Sequence, residues 1–264
     1  MFWYFSVYGC VVFSVFEWEL HSWDEIRDLI PRLRAVILPV GSVEQHSYHL
    51  SLATDTVGAY RISKEVAKHF GGSILVLPPI YYGVSEHHMD FPGTITISSE
   101  TLLRLVCEIA DSLKRHGIRT LIIINGNGGN IGVLSEAVRK LRFEYGMNAL
   151  LINPWELILD VIEETLESDV WGHACEFETS VALVENPKLV RLDKIVDPKL
   201  RRLGKYFDLK SKNRVVYPWR TKDFTDTGAL GYPSKASKEK GEKLFSAMVE
   251  RTVEAIEEFL KIVG

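Results

Sequence analysis

Glu44 and His46 stand two residues apart in the run Gly41-Ser-Val-Glu-Gln-His-Ser-Tyr-His-Leu-Ser-Leu-Ala-Thr-Asp55. In an extended chain that spacing turns both side chains to the same face. Asp55 falls at the start of the next apolar-periodic stretch, where the free N–H groups of a helix start favour a carboxylate. Two carboxylates and one imidazole brought together form a hard-to-borderline donor set for zinc, manganese or iron, and a shared carboxylate can bridge two ions. The same residues admit a plainer reading, an N-cap aspartate beside a surface glutamate and histidine, because Glu-x-His alone is a common pattern.

A second cluster is Trp171-Gly-His-Ala-Cys-Glu-Phe-Glu178-Thr-Ser180. Its His173 can act as a general acid or base near neutral pH. Its Glu176 and Glu178 precede the apolar stretch 181–184, which equally describes the acidic first turn of a helix. A third cluster, Asn125-Gly-Asn-Gly-Gly-Asn130, can turn backbone N–H groups toward an anion. It is not a dinucleotide-binding turn. Gly126, Gly128 and Gly132 lack the G-x-G-x-x-G spacing, and the next strand ends at Asn153 rather than at an acid for a ribose. A fourth cluster, Tyr82-Gly-Val-Ser-Glu-His-His-Met-Asp-Phe-Pro-Gly-Thr94, sets His87 and His88 in a loop bounded by glycine and proline, where they can line a polar pocket.

These clusters need elements to gather them. Short apolar runs predict strands over 35–40, 74–77, 120–124 and 149–152. Helical spacing predicts helices over 55–70, 99–116, 131–145 and 238–263, the first three stopped at Gly71-Gly72, Gly117 and Gly146. The alternation implies an α/β fold, a mostly parallel sheet flanked by helices on both faces. Right-handed crossovers then place the strand C-termini on one edge, where ligands usually sit. Three of the clusters follow strand ends, at Gly41, Tyr81 and Asn125, and should therefore converge. Residues 188–240 are less regular and more basic, and read as loops of the same domain.

The 264 residues, 46% hydrophobic and 25% charged, describe a soluble globular chain able to bury its own core. A formal charge of −4 gives no reason to expect nucleic acid or an acidic membrane as partner. Cys10, Cys107 and Cys175 form neither a disulfide framework nor a metal clip, which favours a reducing, cytoplasmic setting. Residues 1–16 carry no charge and are rich in aromatic and β-branched side chains. They lack the basic start and small-residue cleavage site of a signal peptide and are too short to span a bilayer. They read as an extra strand or a dispensable apolar extension, before a single domain over 17–264.

The first, fourth and third clusters together with His-Ala-x-Glu-x-Glu-Thr-Ser, in this chain order, resemble the creatininase family over roughly 37–184. The ordered set is far more specific than any member alone. The resemblance implies a compact α/β metal-dependent amidohydrolase, a homo-oligomer and often a hexamer, with one or two divalent ions per chain, zinc first and manganese or iron next. It implies hydrolysis of a non-peptide C–N bond, in a cyclic amide or formamide. The family also contains a formamide hydrolase of flavin and deazaflavin biosynthesis and a peptidase that matures a peptide-derived redox cofactor.

Carried over by position, Glu44 binds one metal, His46 the other, and Asp55 bridges them. Glu178 lies at the same centre as a ligand or just behind one, with a catalytic part shared with His173, which protonates the leaving nitrogen. Trp155 and Trp171 resemble the aromatic residues that cover substrate, and His88 and Asn127 join them in the binding pocket. One position departs from the pattern. The family's glycine-rich turn usually reads Asn-Gly-His with the histidine a ligand, and here that position is Asn127; Gly129 stands where creatininase has a glutamate ligand. An amide oxygen is a poor zinc ligand, so the resemblance implies that one metal site is weakened, shifted to a harder ion or empty. A binding module that has lost turnover is the alternative.

Overall fold

The computed structural model describes residues 16–207, 215 and 217–264. Its centre is a four-stranded, all-parallel sheet in the order β2-β1-β3-β4. The strands are β1 (Ala35–Val40), β2 (Ile74–Val76), β3 (Thr120–Asn125) and β4 (Asn148–Ile152). Every residue of β1, β2 and β3 is buried. The consecutive apolar runs therefore reflect a sheet covered on both faces. Successive β1 side chains alternate: Ala35 and Ile37 enter one core, Val36, Leu38 and Val40 the other.

The first core is closed by α2 (Thr54–Lys68), α6 (Glu176–Glu185) and α8 (Lys238–Val263), through Ile62, Val66, Phe177, Val181, Leu244, Met248, Ile256 and Leu260. The second is closed by α3 (Ser99–Arg115) and α4 (Ile131–Phe143), through Leu102, Val106, Ala110, Leu113, Leu134, Ala137 and Leu141. Short helices α1 (Trp23–Leu29), α5 (Leu159–Thr165) and α7 (Thr221–Phe224) complete the order. The predicted helices recur within one or two residues at each end, and the 188–240 stretch is loops, short turns and α7. Pro39 sits in a central strand, yet its own carbonyl accepts from Ile80 N–H at 2.9 Å, so its ring nitrogen faces the side on which β2 has already ended at Val76.

The apolar extension lies outside the described residues except for Phe16. Its carbonyl accepts from Val76 N–H at 2.8 Å, and Glu17 bridges Val76 in parallel. The chain thus joins the β2 edge of the sheet from Phe16 onward. Among the described residues no helix is long and apolar enough to cross a membrane.

Candidate metal centre

Two glycines let α2 approach the C-terminal ends of the central strands. A Cβ on Gly41 would collide with the backbone of Thr56, and a Cβ on Gly126 with the carbonyl of Asp55. The first turn of α2 therefore rests directly on the ends of β1 and β3. Asp55 is delivered buried into the centre, and Ser42 Oγ donates to its Oδ2 at 2.5 Å.

Glu44, His46, Asp55 and Glu178 converge there, with His173 and His88 beside them. Four imidazoles lie in a row: His46 to His173, His173 to His88 and His88 to His87 have ring centroids 4.2, 4.2 and 4.1 Å apart. Asp55 and Glu178 face the His46 end, where Asp55 Oδ1 is 2.9 Å and Glu178 Oε2 3.9 Å from His46 Nε2. Glu44 faces the middle, its Oε1 3.2 Å from His88 Nε2 and 3.6 Å from His173 Nδ1, and its Oε2 accepts from Ser85 Oγ at 2.6 Å.

The hydrogen-bond partners assign the ring protons. His46 Nδ1 faces the backbone carbonyl of Glu44 at 3.1 Å, and His173 Nε2 that of Gln45 at 2.6 Å. Carbonyls only accept, so these nitrogens carry the protons. The opposite nitrogens, His46 Nε2 and His173 Nδ1, then face the space bounded by the three carboxylates. His46 Nε2 is buried and, despite its nearness to Asp55, has no hydrogen-bond partner of acceptable geometry.

His88 differs. The Gln45 amide is fixed by Ser47 N–H donating to its Oε1 at 2.8 Å and by its Nε2 donating to Gly228 O at 3.1 Å. Its Nε2 therefore also donates to His88 Nδ1, at 2.8 Å, which leaves the His88 proton on Nε2, pointing at Glu44. His88 thus orients Glu44.

The charges of the protein groups alone are ill-balanced. Among the described residues every ion-pair partner of Glu44, Asp55 and Glu178 is an imidazole. Burial drives the Glu178 carboxyl up to about 7, with Asp55 and Glu44 adding to the rise against His46. Burial also opposes ionisation of Glu44, but the hydrogen bond from His88, with the positive charge of His46 beyond it, holds it well below the usual range. For His46 burial works against the cation, and the negative charge of Asp55, then Glu178 and Glu44, overrides it and raises the ring to about 10. Burial beside His88 and His46 keeps His173 neutral, well below 6.5.

The donor set fits a divalent cation. His46, Asp55 and Glu178 bring ligand atoms within 4.8 Å of one another, as do Glu44, His46 and His173, and Glu44, His87 and His88. A cavity of about 1350 Å³ opens on this centre, lined by Glu44, Asp55, His87, His88, His173 and Glu178, with Tyr217, Pro218, Trp219 and Arg220 at its wall.

The remaining expected binding residues fall elsewhere. Asn127 borders the cavity, but its side chain caps a 3-10 turn, Gly128–Asn130: Oδ1 accepts from Gly129 N–H at 2.8 Å and Nδ2 donates to Val84 O and Ser85 Oγ at 3.2 and 3.3 Å. Trp155 lines a separate space of about 70 Å³ behind Asp55 and Glu178, and Trp171 packs on Phe177 with ring centroids 5.9 Å apart, in the first core. The aromatic wall of the large cavity is instead Tyr217 and Trp219, within a basic loop that carries no motif. Ser42, Ser85 and Gln45 were also missed. The first and third flank Glu44 inside the first cluster, and Ser85 opens the His87-His88 loop, but hydroxyls and amides carry no spacing signal of their own.

Comparison with known proteins agrees with this fold. The Creatininase family model, described as creatinine amidohydrolase, matches residues 19–256. The chain is similar to a mycofactocin precursor peptide peptidase of Mycolicibacterium smegmatis, 32% identical over 234 residues and 87% of each chain. It is similar to the creatinine amidohydrolase of Pseudomonas putida, 31% identical over 263 residues, 93% of this chain and 97% of that one. A manganese form of creatininase superposes with a TM-score of 0.78 at 28% identity, covering 93% of this chain and 98% of its own. The family-model match over residues 19–256, with relatives above 30% identity over most of the chain, places this protein in the creatininase family.

Proposed function

We propose that the chain is a metal-dependent amidohydrolase that cleaves the C–N bond of a small-molecule amide. The observation that carries this reading is the pair of buried ring nitrogens, His46 Nε2 and His173 Nδ1, facing three carboxylates whose ion-pair partners among the described residues are all imidazoles. His46, Asp55 and Glu178 hold a divalent ion on this reading, and Glu44 a second one. Zinc or manganese suits the mixed nitrogen and oxygen donors. When bound, the ion supplies an acidified water and a Lewis acid for the amide carbonyl. His173, neutral and fixed by the Gln45 carbonyl, presents Nδ1 to the reacting face, where it takes up a proton and returns it to the leaving nitrogen. Ser42, Ser85 and His88 hold the carboxylates in place.

Tyr217, Trp219 and Arg220 form the substrate wall, in place of Trp171. The buried, unpaired Cys107 and Cys175 suit a reducing cytoplasm. The reading carries with it a homo-oligomer, whose mass light scattering measures directly.

The test is hydrolysis of a panel of cyclic amides, formamides and short peptides by the purified chain, before and after chelation and after return of zinc or manganese. Turnover that disappears with the metal and returns with it supports the reading. Undiminished turnover in chelator, or none on any amide with metal bound, overturns it.

A further inference from the structure

Beyond the triad of His46, Asp55 and Glu178, an ion on the Glu44 side calls for a neutral nitrogen donor besides His173 Nδ1, which the hydrolase reading gives to proton transfer. Asn127 does not provide one, because both polar atoms of its side chain are engaged in capping the glycine-rich turn. His88 does not provide one either, because Gln45 fixes its Nδ1 as an acceptor and its Nε2–H is directed at Glu44. His87 is free to. Neither of its ring nitrogens has a hydrogen-bond partner among the described residues. Its ligand atom lies within 4.8 Å of those of Glu44 and His88, and it lines the large cavity.

The ring is also held in place. Its Cε1 lies 3.0 Å from where a Cβ on Gly129 would stand, so the imidazole fills space that a side chain at position 129 would take. Trp219 meets it edge-on at 5.2 Å between centroids, and His88 supports its other side.

We infer that His87 is a metal ligand of this chain, completing a second divalent-cation site with Glu44 and replacing the donor that Asn127 does not give. The inference rests on the metal-hydrolase reading above, and the experiment separates the two. Chelator-stripped protein is titrated with Co(II), followed by visible absorption and by metal content after gel filtration. Wild type, His87→Ala, His87→Cys and Asn127→Ala are compared, each checked for folding by circular dichroism. The expected result is two equivalents in wild type and in Asn127→Ala. His87→Ala retains one, its weaker site losing at least the roughly 10- to 100-fold that removal of a mere supporting group costs.

His87→Cys gains a thiolate-to-cobalt charge-transfer band, which appears only if position 87 faces the ion. That band keeps the test valid should His87→Ala be poorly folded. Two equivalents with unchanged affinity in His87→Ala, a wild type with one equivalent that His87→Ala leaves alone, or a cysteine variant without the band overturns the inference and leaves the metal-hydrolase reading standing. No cobalt bound by any of the proteins overturns both.

Discussion

At the scale of single residues, the centre is built from groups able to ligate a cation and from the polar side chains that aim them. Ser42 fixes Asp55 through Oδ2, and Ser85 fixes Glu44 through Oε2, which leaves the opposite oxygens turned toward His46 and toward His88 and His173. Loss of such a partner leaves the ligand free to rotate and typically weakens metal affinity about 10- to 100-fold. Ser42→Ala and Ser85→Ala are each expected to raise the metal dissociation constant by about that factor, with circular dichroism unchanged, as read by titration of stripped protein. Unchanged affinity in both would show that the hydroxyls merely fill space. The carboxylates and histidines of this centre were legible in the sequence because their side chains are rare in clusters and their spacing carries meaning. Their supporting hydroxyls were not. A serine beside a ligand looks like any loop serine until the fold turns it inward. Trp171 shows another limit, since a tryptophan beside His173 gives no sequence signal of which way its ring turns, and here it packs on Phe177.

At the scale of elements, close approach of α2 to the strand ends decides whether the ligands meet. Gly126 is one of the two positions that permit it, since a Cβ there would stand 2.2 Å from the Asp55 carbonyl oxygen, whereas a Cβ on Gly128 meets nothing within 4 Å. Gly126→Ala is expected to push the α2 N-terminus outward, with an overpacking cost of about 1–3 kcal/mol and a loss of metal affinity through Asp55. Gly128→Ala should change neither. Thermal melting and metal titration of the two variants side by side check this, and equal behaviour would contradict it. The far end of α6 offers a second element-scale test. Burial drives the Glu185 carboxyl up to about 8, only partly offset by Arg61, and its Oε1 has no hydrogen-bond partner. Because the folded value lies above the unfolded one, the protonated acid is retained on folding. Its contribution to stability is full below about 4.5 and declines as pH rises through about 8. Glu185→Gln removes that decline. Its melting temperature should gain on wild type between pH 5 and pH 8, and a difference independent of pH would refute the assignment.

At the scale of the whole molecule, the two-sided parallel sheet was readable because fully buried strands appear as unbroken apolar runs and glycines punctuate their helices. The strand order was not, because it depends on which crossovers pack together. The wall of Tyr217 and Trp219 was not, because it comes from a loop whose place is set by tertiary contacts such as Arg220 to Asp90 at 3.1 Å. The assembled fold holds three carboxylates in one centre, and on the metal-hydrolase reading this links global stability to a bound ion. A ligand that binds only the folded state at 100 times its dissociation constant adds about 2.7 kcal/mol. In a domain of this size that is worth roughly 5–11 °C, at about 2–4 °C per kcal/mol. Chelation is therefore expected to lower the melting temperature by about that much near pH 8. The gap should also depend on pH. Without the ion, the folded Glu178 carboxyl titrates near 7 against a usual value of 4.5, so metal-free stability is fullest below about 4.5 and is lost as pH rises through about 7. With the ion bound, Glu178 stays ionised as a ligand and this loss disappears. The loaded and metal-free melting temperatures should draw together as pH falls from 8 to 5, where protons take the place of the cation. Groups that titrate alike in both forms cancel in the difference. Calorimetric scans of both forms across this range check the sign, and a gap that widens toward acid would mean that Glu178 does not face the ion.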